Sequence, residues 1–86
     1  MSYSIRIKRS AARDLRRVPR EDRLRIIRAI DHLAEQPLTG SVLKGGLRGL
    51  RRVRVGCYRV VYEVLDDELV VLVIRVSHRR EAYRSR

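Results

Sequence analysis

From Leu50 onward the chain reads as three apolar runs divided by two short polar breaks, and this pattern limits the fold more than any other feature. The runs are Leu50–Val55, Tyr58–Leu65 and Leu69–Val76. Gly56-Cys57 separates the first two by the length of a tight hairpin, and Asp66-Asp67-Glu68 separates the last two. Strands joined this closely form an antiparallel meander. The second and third carry β-branched residues on both faces, as central strands covered by helices do.

The N-terminal half supplies the cover. Tyr3-Ser4-Ile5-Arg6-Ile7-Lys8 alternates strictly, with apolar residues at 3, 5 and 7, which predicts a half-buried strand. Ser10 is placed to cap a short helix, AARDLRRV, with Ala11, Leu15 and Val18 on one face. Pro19 ends it and suits the first turn of a second helix, where Glu21 and Asp22 favour the positive helix end. In that helix Leu24, Ile27, Ile30 and Ala34, with Ile26 and Leu33 alongside, form an apolar stripe that stops before Pro37. Pro37 to Gly49 reads as loop. The expected fold is α+β: a small antiparallel β-sheet with two N-terminal helices packed on one face, in the order β-α-α-β-β-β. Residues 1–86 form a single domain in this reading, with Ile30 and Leu72 in its core.

Charge then narrows the partners. The chain has 86 residues and a formal charge of +11, from 21 basic and 10 acidic side chains. Lys8 and Lys44 are the only lysines, so the basic surface is written in arginine. Such a balance suits a polyanion, nucleic acid above all, with an acidic protein or a membrane surface next. Arginine-rich usage that merely reflects genome composition is the competing account. Cys57 is alone, which excludes an internal disulfide and a CxxC zinc site. The N-terminus lacks the apolar core of a signal peptide, and no run approaches the roughly 18 apolar residues of a membrane span. A cytoplasmic protein with no membrane partner is the expectation.

Period-2 geometry groups the arginines of the meander. Arg52 and Arg54 share one face of their strand, and Val53 and Val55 share the other. The tight turn returns the chain beside them carrying Arg59, and the last strand delivers Arg79 just past its end. Four guanidiniums from three strands would surround one small concave surface, and the guanidinium fork matches phosphate oxygens. The plainer alternative is a solvated sheet face. Three roles are open to Tyr83: stacking on a base, proton transfer at a phosphoryl centre, or packing. His78 stands where it can meet a phosphate, although a strand-end histidine is more often polar surface. His32 and Cys57 read as surface.

The run LRGLRRVRVGCYRVVYEVLDDELVVLVIRVSHRREAYR resembles the C-terminal half of the RelE toxins of the RelE/ParE superfamily. YRVVYEV, an acidic turn, a Val/Ile-rich strand, a small residue, a basic one, RRE and a tyrosine form their usual ending. IRIKRSAARDLRRVP matches their first strand and helix, so the resemblance spans nearly the whole chain. It implies a small antiparallel sheet under two helices. It further implies the toxin of a type II toxin–antitoxin system, a ribosome-dependent endoribonuclease that cuts mRNA in the ribosomal A site by attack of the RNA 2′-hydroxyl. No metal and no cofactor are implied.

By position, the resemblance assigns catalytic roles to Arg52, Arg54, Arg59, Arg79 and Tyr83. Arg59 and Arg79 would hold the phosphate, Arg79 also near the leaving oxygen, while Arg52 and Arg54 hold the RNA backbone. Further RNA contacts fall to Arg51, Lys44, Arg48, His78 and Arg80. The family often has lysine where this chain has Arg52 and Arg54. Arginine does not give up a proton, so base duty passes to Tyr83 or to no single residue. A cognate antitoxin, acidic and neutralising, is the implied partner, together with mRNA and the ribosomal A site. The alternatives are a ParE-type inhibitor of DNA gyrase and a non-catalytic basic RNA-binding protein.

Overall fold

The computed structural model describes residues 2–43 and 49–79. In chain order these form β1 (Ser4–Ile7), α1 (Arg9–Arg16), α2 (Arg20–Glu35), β2 (Ser41–Val42), β3 (Leu50–Val55), β4 (Tyr58–Leu65), a 3₁₀ turn (Asp66–Glu68) and β5 (Val70–His78). The five strands lie in the order β1-β5-β4-β3-β2. The meander β3-β4-β5 is antiparallel, as its short connections require. The sheet as a whole is mixed, because β1 joins the outer side of β5 in parallel, Ser4 opposite Val70 through Ile7 opposite Val73. A parallel neighbour needs a long crossover, and the two helices supply it. The fifth strand, β2, is two residues of the loop after α2 laid against Arg51 and Arg52 of β3.

Both helices contribute to one core. Ala11, Leu15 and Val18 meet Ile26, Ile30 and Leu33 above Val60, Tyr62, Val71, Val73 and Val76. The stripe expected on α2 through Leu24, Ile27, Ile30 and Ala34 is shifted in the structure. Packing selects 26, 30 and 33, and leaves Leu24 and Ile27 exposed. Leu72 lies on the sheet face away from these residues and is only half-buried, unlike its expected core position. The alternation along β5 shifts at a bulge: Val61 pairs with Arg75 and Tyr62 with Val73, so Ile74 is the extra residue.

Helix α1 also closes an exposed sheet edge. The last ladder bond from β1's side is Lys8 N–H to the Val73 carbonyl, 2.8 Å, after which β5 runs on with a strand, β4, on its other side only. Ser10 Oγ donates to the Ile74 carbonyl at 2.8 Å, and Asp14 Oδ2 accepts the Val76 N–H at 2.9 Å. Ser10 therefore serves the sheet and does not cap its own helix, whose N-cap is Lys8 with no side-chain cap bond. Asp14 Oδ2 also receives Arg75 Nε at 3.0 Å. An edge covered in this way offers few groups for foreign strand pairing.

Tyr62 pins the loop after α2. Its side chain is fully buried, and its hydroxyl donates to the Pro37 carbonyl at 2.8 Å and accepts the Gly40 N–H at 2.9 Å. Tyr62→Phe is expected to cost about 1–3 kcal/mol, since it strands a buried donor and an acceptor together. The urea midpoint measures this, and an unchanged midpoint would mean that water reaches both groups.

Candidate functional site

Turn chemistry builds the site. Gly56 opens the two-residue β3–β4 hairpin with φ of 60°, a left-handed value, while Cys57 is not among the positive-φ residues. Glycine at the first central position is what a II′-type turn requires. The turn sets Arg54 directly opposite Arg59 in the ladder, and cross-strand partners share a face. The β4–β5 ladder continues this row, with Ser77 opposite Arg59. Strand β5 extends two residues beyond the expected Val76, so His78 pairs with Tyr58. Arg79 follows, and its N–H donates to the Cys57 carbonyl at 2.6 Å. That backbone bond ties the start of the C-terminal segment to the hairpin.

These constraints form a cleft of about 220 Å³ lined by Arg54, Gly56, Cys57, Tyr58, Arg59 and Arg79. Among the described residues its charged lining is entirely cationic. An adjoining cleft is lined by Thr39, Gly40, Ser41, Arg52, Val53 and Arg54, so Arg54 belongs to both. Ser41 stands opposite Arg52 across the β2–β3 pairing, which adds a hydroxyl to the same face. Three of the four arginines grouped from the sequence thus share one cleft, and Arg52 lines its neighbour. Arg54 and Arg79 are exposed, whereas Arg52 and Arg59 are half-buried.

The remaining sequence-derived residues fall elsewhere. Arg51 points to the opposite face of β3, where its Nη1 donates to the Gly40 carbonyl at 2.7 Å and, at the limit of a hydrogen bond, to the Leu38 carbonyl at 3.4 Å. It braces the loop after α2. His78 meets Tyr58 edge to face, with ring centroids 5.1 Å apart and planes at 88°. Lys44, Arg48, Arg80 and Tyr83 lie outside the described residues. Arg25 is exposed on α2. A Cβ on Gly56 would sit 4.0 Å from Arg25 Nη1, so α2 brings a further cation to the hairpin. Among the described residues no group of three or more His, Cys, Asp or Glu is placed to hold a metal ion.

Residues 5–83 match the family described as ParE toxin of the type II toxin–antitoxin system parDE. The chain is 34% identical to Toxin RelG of Mycobacterium tuberculosis, over 98% of this chain and 99% of that protein. The chain is a RelE-type toxin of the RelE/ParE superfamily. It is also 35% identical to Toxin RelE of the same organism, over 95% of this chain and 87% of that one. The fold superposes on the toxin–antitoxin complex RelBE2 from M. tuberculosis with a TM-score of 0.85 at 30% identity, covering 91% of this chain and 92% of the other. The archaeal RelE–RelB complex from Pyrococcus horikoshii gives 0.77 at 26% identity, over 92% and 97% of the two chains. The RelE-type α+β fold, two helices against a mixed five-stranded sheet, is common to these structures. No helix among the described residues is long and apolar enough to cross a membrane.

Proposed function

We propose that this RelE-type toxin cuts mRNA in the ribosomal A site by attack of the 2′-hydroxyl on the adjacent phosphate. The observation that supports the reading best is the cleft that gathers the guanidiniums of Arg54, Arg59 and Arg79, with no acidic side chain lining it among the described residues. Attack forms the 2′-oxygen–phosphorus bond and breaks the phosphorus–5′-oxygen bond, leaving a 2′,3′-cyclic phosphate and a 5′-hydroxyl. The 2′-hydroxyl loses one proton and the departing oxygen gains one. Negative charge grows on the phosphorane oxygens between these events, and fixed guanidinium donors stabilise it where water is partly excluded.

Arg59 and Arg79 hold the phosphate in this reading, and Arg54 and Arg52 carry the flanking backbone into the adjoining cleft. The arginines do not accept the 2′-proton. In this reading that transfer falls to Tyr83 or to no single residue. The relatives solved with RelB partners support a cognate antitoxin, and a charge of +11 suits an acidic one.

A site this poor in titratable groups leaves alignment of the three reacting atoms to the ribosome. Such positioning is worth roughly 7–11 kcal/mol. Purified toxin is therefore expected to cut an end-labelled message on a ribosome stalled with an empty A site, and to bind but scarcely cut the same message alone. Binding to free RNA should weaken as salt rises, because it rests on phosphate contacts. Equal cutting in both tubes would refute ribosome dependence. No cutting in either, with gyrase supercoiling blocked in a parallel assay, would favour the ParE-type activity instead.

A further inference from the structure

A second cleft, of about 170 Å³, opens beside the hairpin and is lined by Asp14, Arg17, Val18, Tyr58, Arg75, Val76 and His78. Tyr58 lines both this cleft and the arginine cleft. The two clefts therefore adjoin at the start of β4, where Arg54 and Arg59 occupy one sheet face and Tyr58 and His78 the other.

The lining differs in kind from that of the arginine cleft. Tyr58 and His78 stand opposite each other in the β4–β5 ladder and meet at 88°. Tyr58 is half-buried against the core, and both rings still line the cleft. Asp14 is fixed in the wall by Arg75 Nε and the Val76 N–H, both bonds falling on Oδ2. Arg17, just past the last turn of α1, is exposed. A phosphate entering here would meet the Asp14 carboxylate. A neutral heterocycle would instead meet two aromatic rings, a guanidinium able to stack and a carboxylate able to accept an N–H. The volume is below the roughly 300–1,000 Å³ of drug-sized pockets and suits one flat ring system.

We propose that this cleft receives the nucleobase next to the phosphodiester held by Arg54, Arg59 and Arg79, with Tyr58, His78 and Arg17 as its binding residues. The proposal rests on the RNA reading of the arginine cleft and adds a base subsite to it. Single-stranded RNA recognition commonly pairs a cationic backbone track with aromatic platforms for splayed bases. Here the hairpin supplies the track, and the Tyr58–His78 pair together with the end of α1 supplies the platform.

The test uses two probes that cannot be cut: a 2′-O-methyl RNA trinucleotide, and the same oligomer lacking its central base. Both are titrated into the purified toxin while the ring protons of Tyr58 and His78 are followed by NMR. The base-bearing oligomer is expected to shift both rings and to bind more tightly than the abasic one. His78→Ala should weaken the base-bearing oligomer by roughly five- to a hundredfold, the range of one lost stacking contact, and leave the abasic one unchanged. His78→Phe, which keeps a ring, should retain the preference, and Arg17→Ala, on an exposed side chain, should reduce it without lowering the melting temperature. If both oligomers bind alike, or His78→Ala weakens both equally, the base subsite is overturned while the phosphate reading stands. If neither oligomer binds, both readings are overturned.

Discussion

Arg79→Ala is expected to lower cleavage of a ribosome-bound message by a factor on the order of 10²–10³, the usual consequence of removing one donor from a site that stabilises developing negative charge. The melting temperature should stay level or rise. The side chain is exposed, and the bond that holds this segment to the hairpin runs from the Arg79 backbone N–H to Cys57, so alanine keeps it. Truncation also removes one of three like charges from the cleft of Arg54, Arg59 and Arg79. Arg54→Ala should behave similarly, because Arg54 is also exposed. Arg59 is half-buried, which makes it the less clean probe. The measurements are thermal melts of the purified variant beside cleavage on stalled ribosomes. A melting point several degrees lower would assign Arg79 to the scaffold, and full cleavage would remove it from the chemistry.

The meander was legible because its evidence is local. Two-residue and three-residue breaks leave antiparallel pairing as the only short route, and period 2 then puts Arg52, Arg54 and Arg59 on one face. Pairings remote in sequence were not legible. Nothing in Ser4–Ile7 announces that it runs parallel to β5, since that register depends on where two helices return the chain. The same remoteness hid the use of Ser10 and Asp14 as edge covers for β5, sixty-odd residues away. A serine before an apolar helical pattern reads as a cap until the open edge is in view.

Face and function separate at Arg51. Within Leu50-Arg51-Arg52-Val53-Arg54 the three arginines look alike, yet alternation sends Arg51 to the side of Val53 and Val55, where loop carbonyls take its charge. On α2 the difference was of another kind. The expected stripe ran through Leu24 and Ile27, and the shape of the sheet beneath turns Ile26, Ile30 and Leu33 inward instead. The Tyr58–His78 contact depended on β5 running to residue 78, two positions past the end of its β-branched run. Strand ends are set by the partner's length as much as by their own residues.

Gly40→Ala is expected to be among the most damaging single-methyl changes in this chain. A Cβ there would stand 2.5 Å from the Arg52 carbonyl oxygen and 2.7 Å from Tyr62 Oη, the first of these being backbone that has no rotamer to change. The loop must therefore lift. Lifting breaks the Gly40 N–H bond to Tyr62 and disturbs the Gly40 carbonyl that receives Arg51. It also draws Ser41 away from its pairing with Arg52, which opens the cleft that continues the arginine site. Overpacking and the lost buried hydrogen bonds together amount to about 2–6 kcal/mol. Domains commonly have only about 5–15 kcal/mol in total, so much of the stability is at stake. Tyr62→Phe provides the comparison, because it removes the same hydroxyl bonds without forcing the backbone apart. Urea unfolding of the two variants in parallel should place Gly40→Ala well below Tyr62→Phe. Equal midpoints would mean that the loop absorbs the methyl group freely, and that Tyr62, not the close approach of two backbones, is what holds β2 against the arginine-bearing strand.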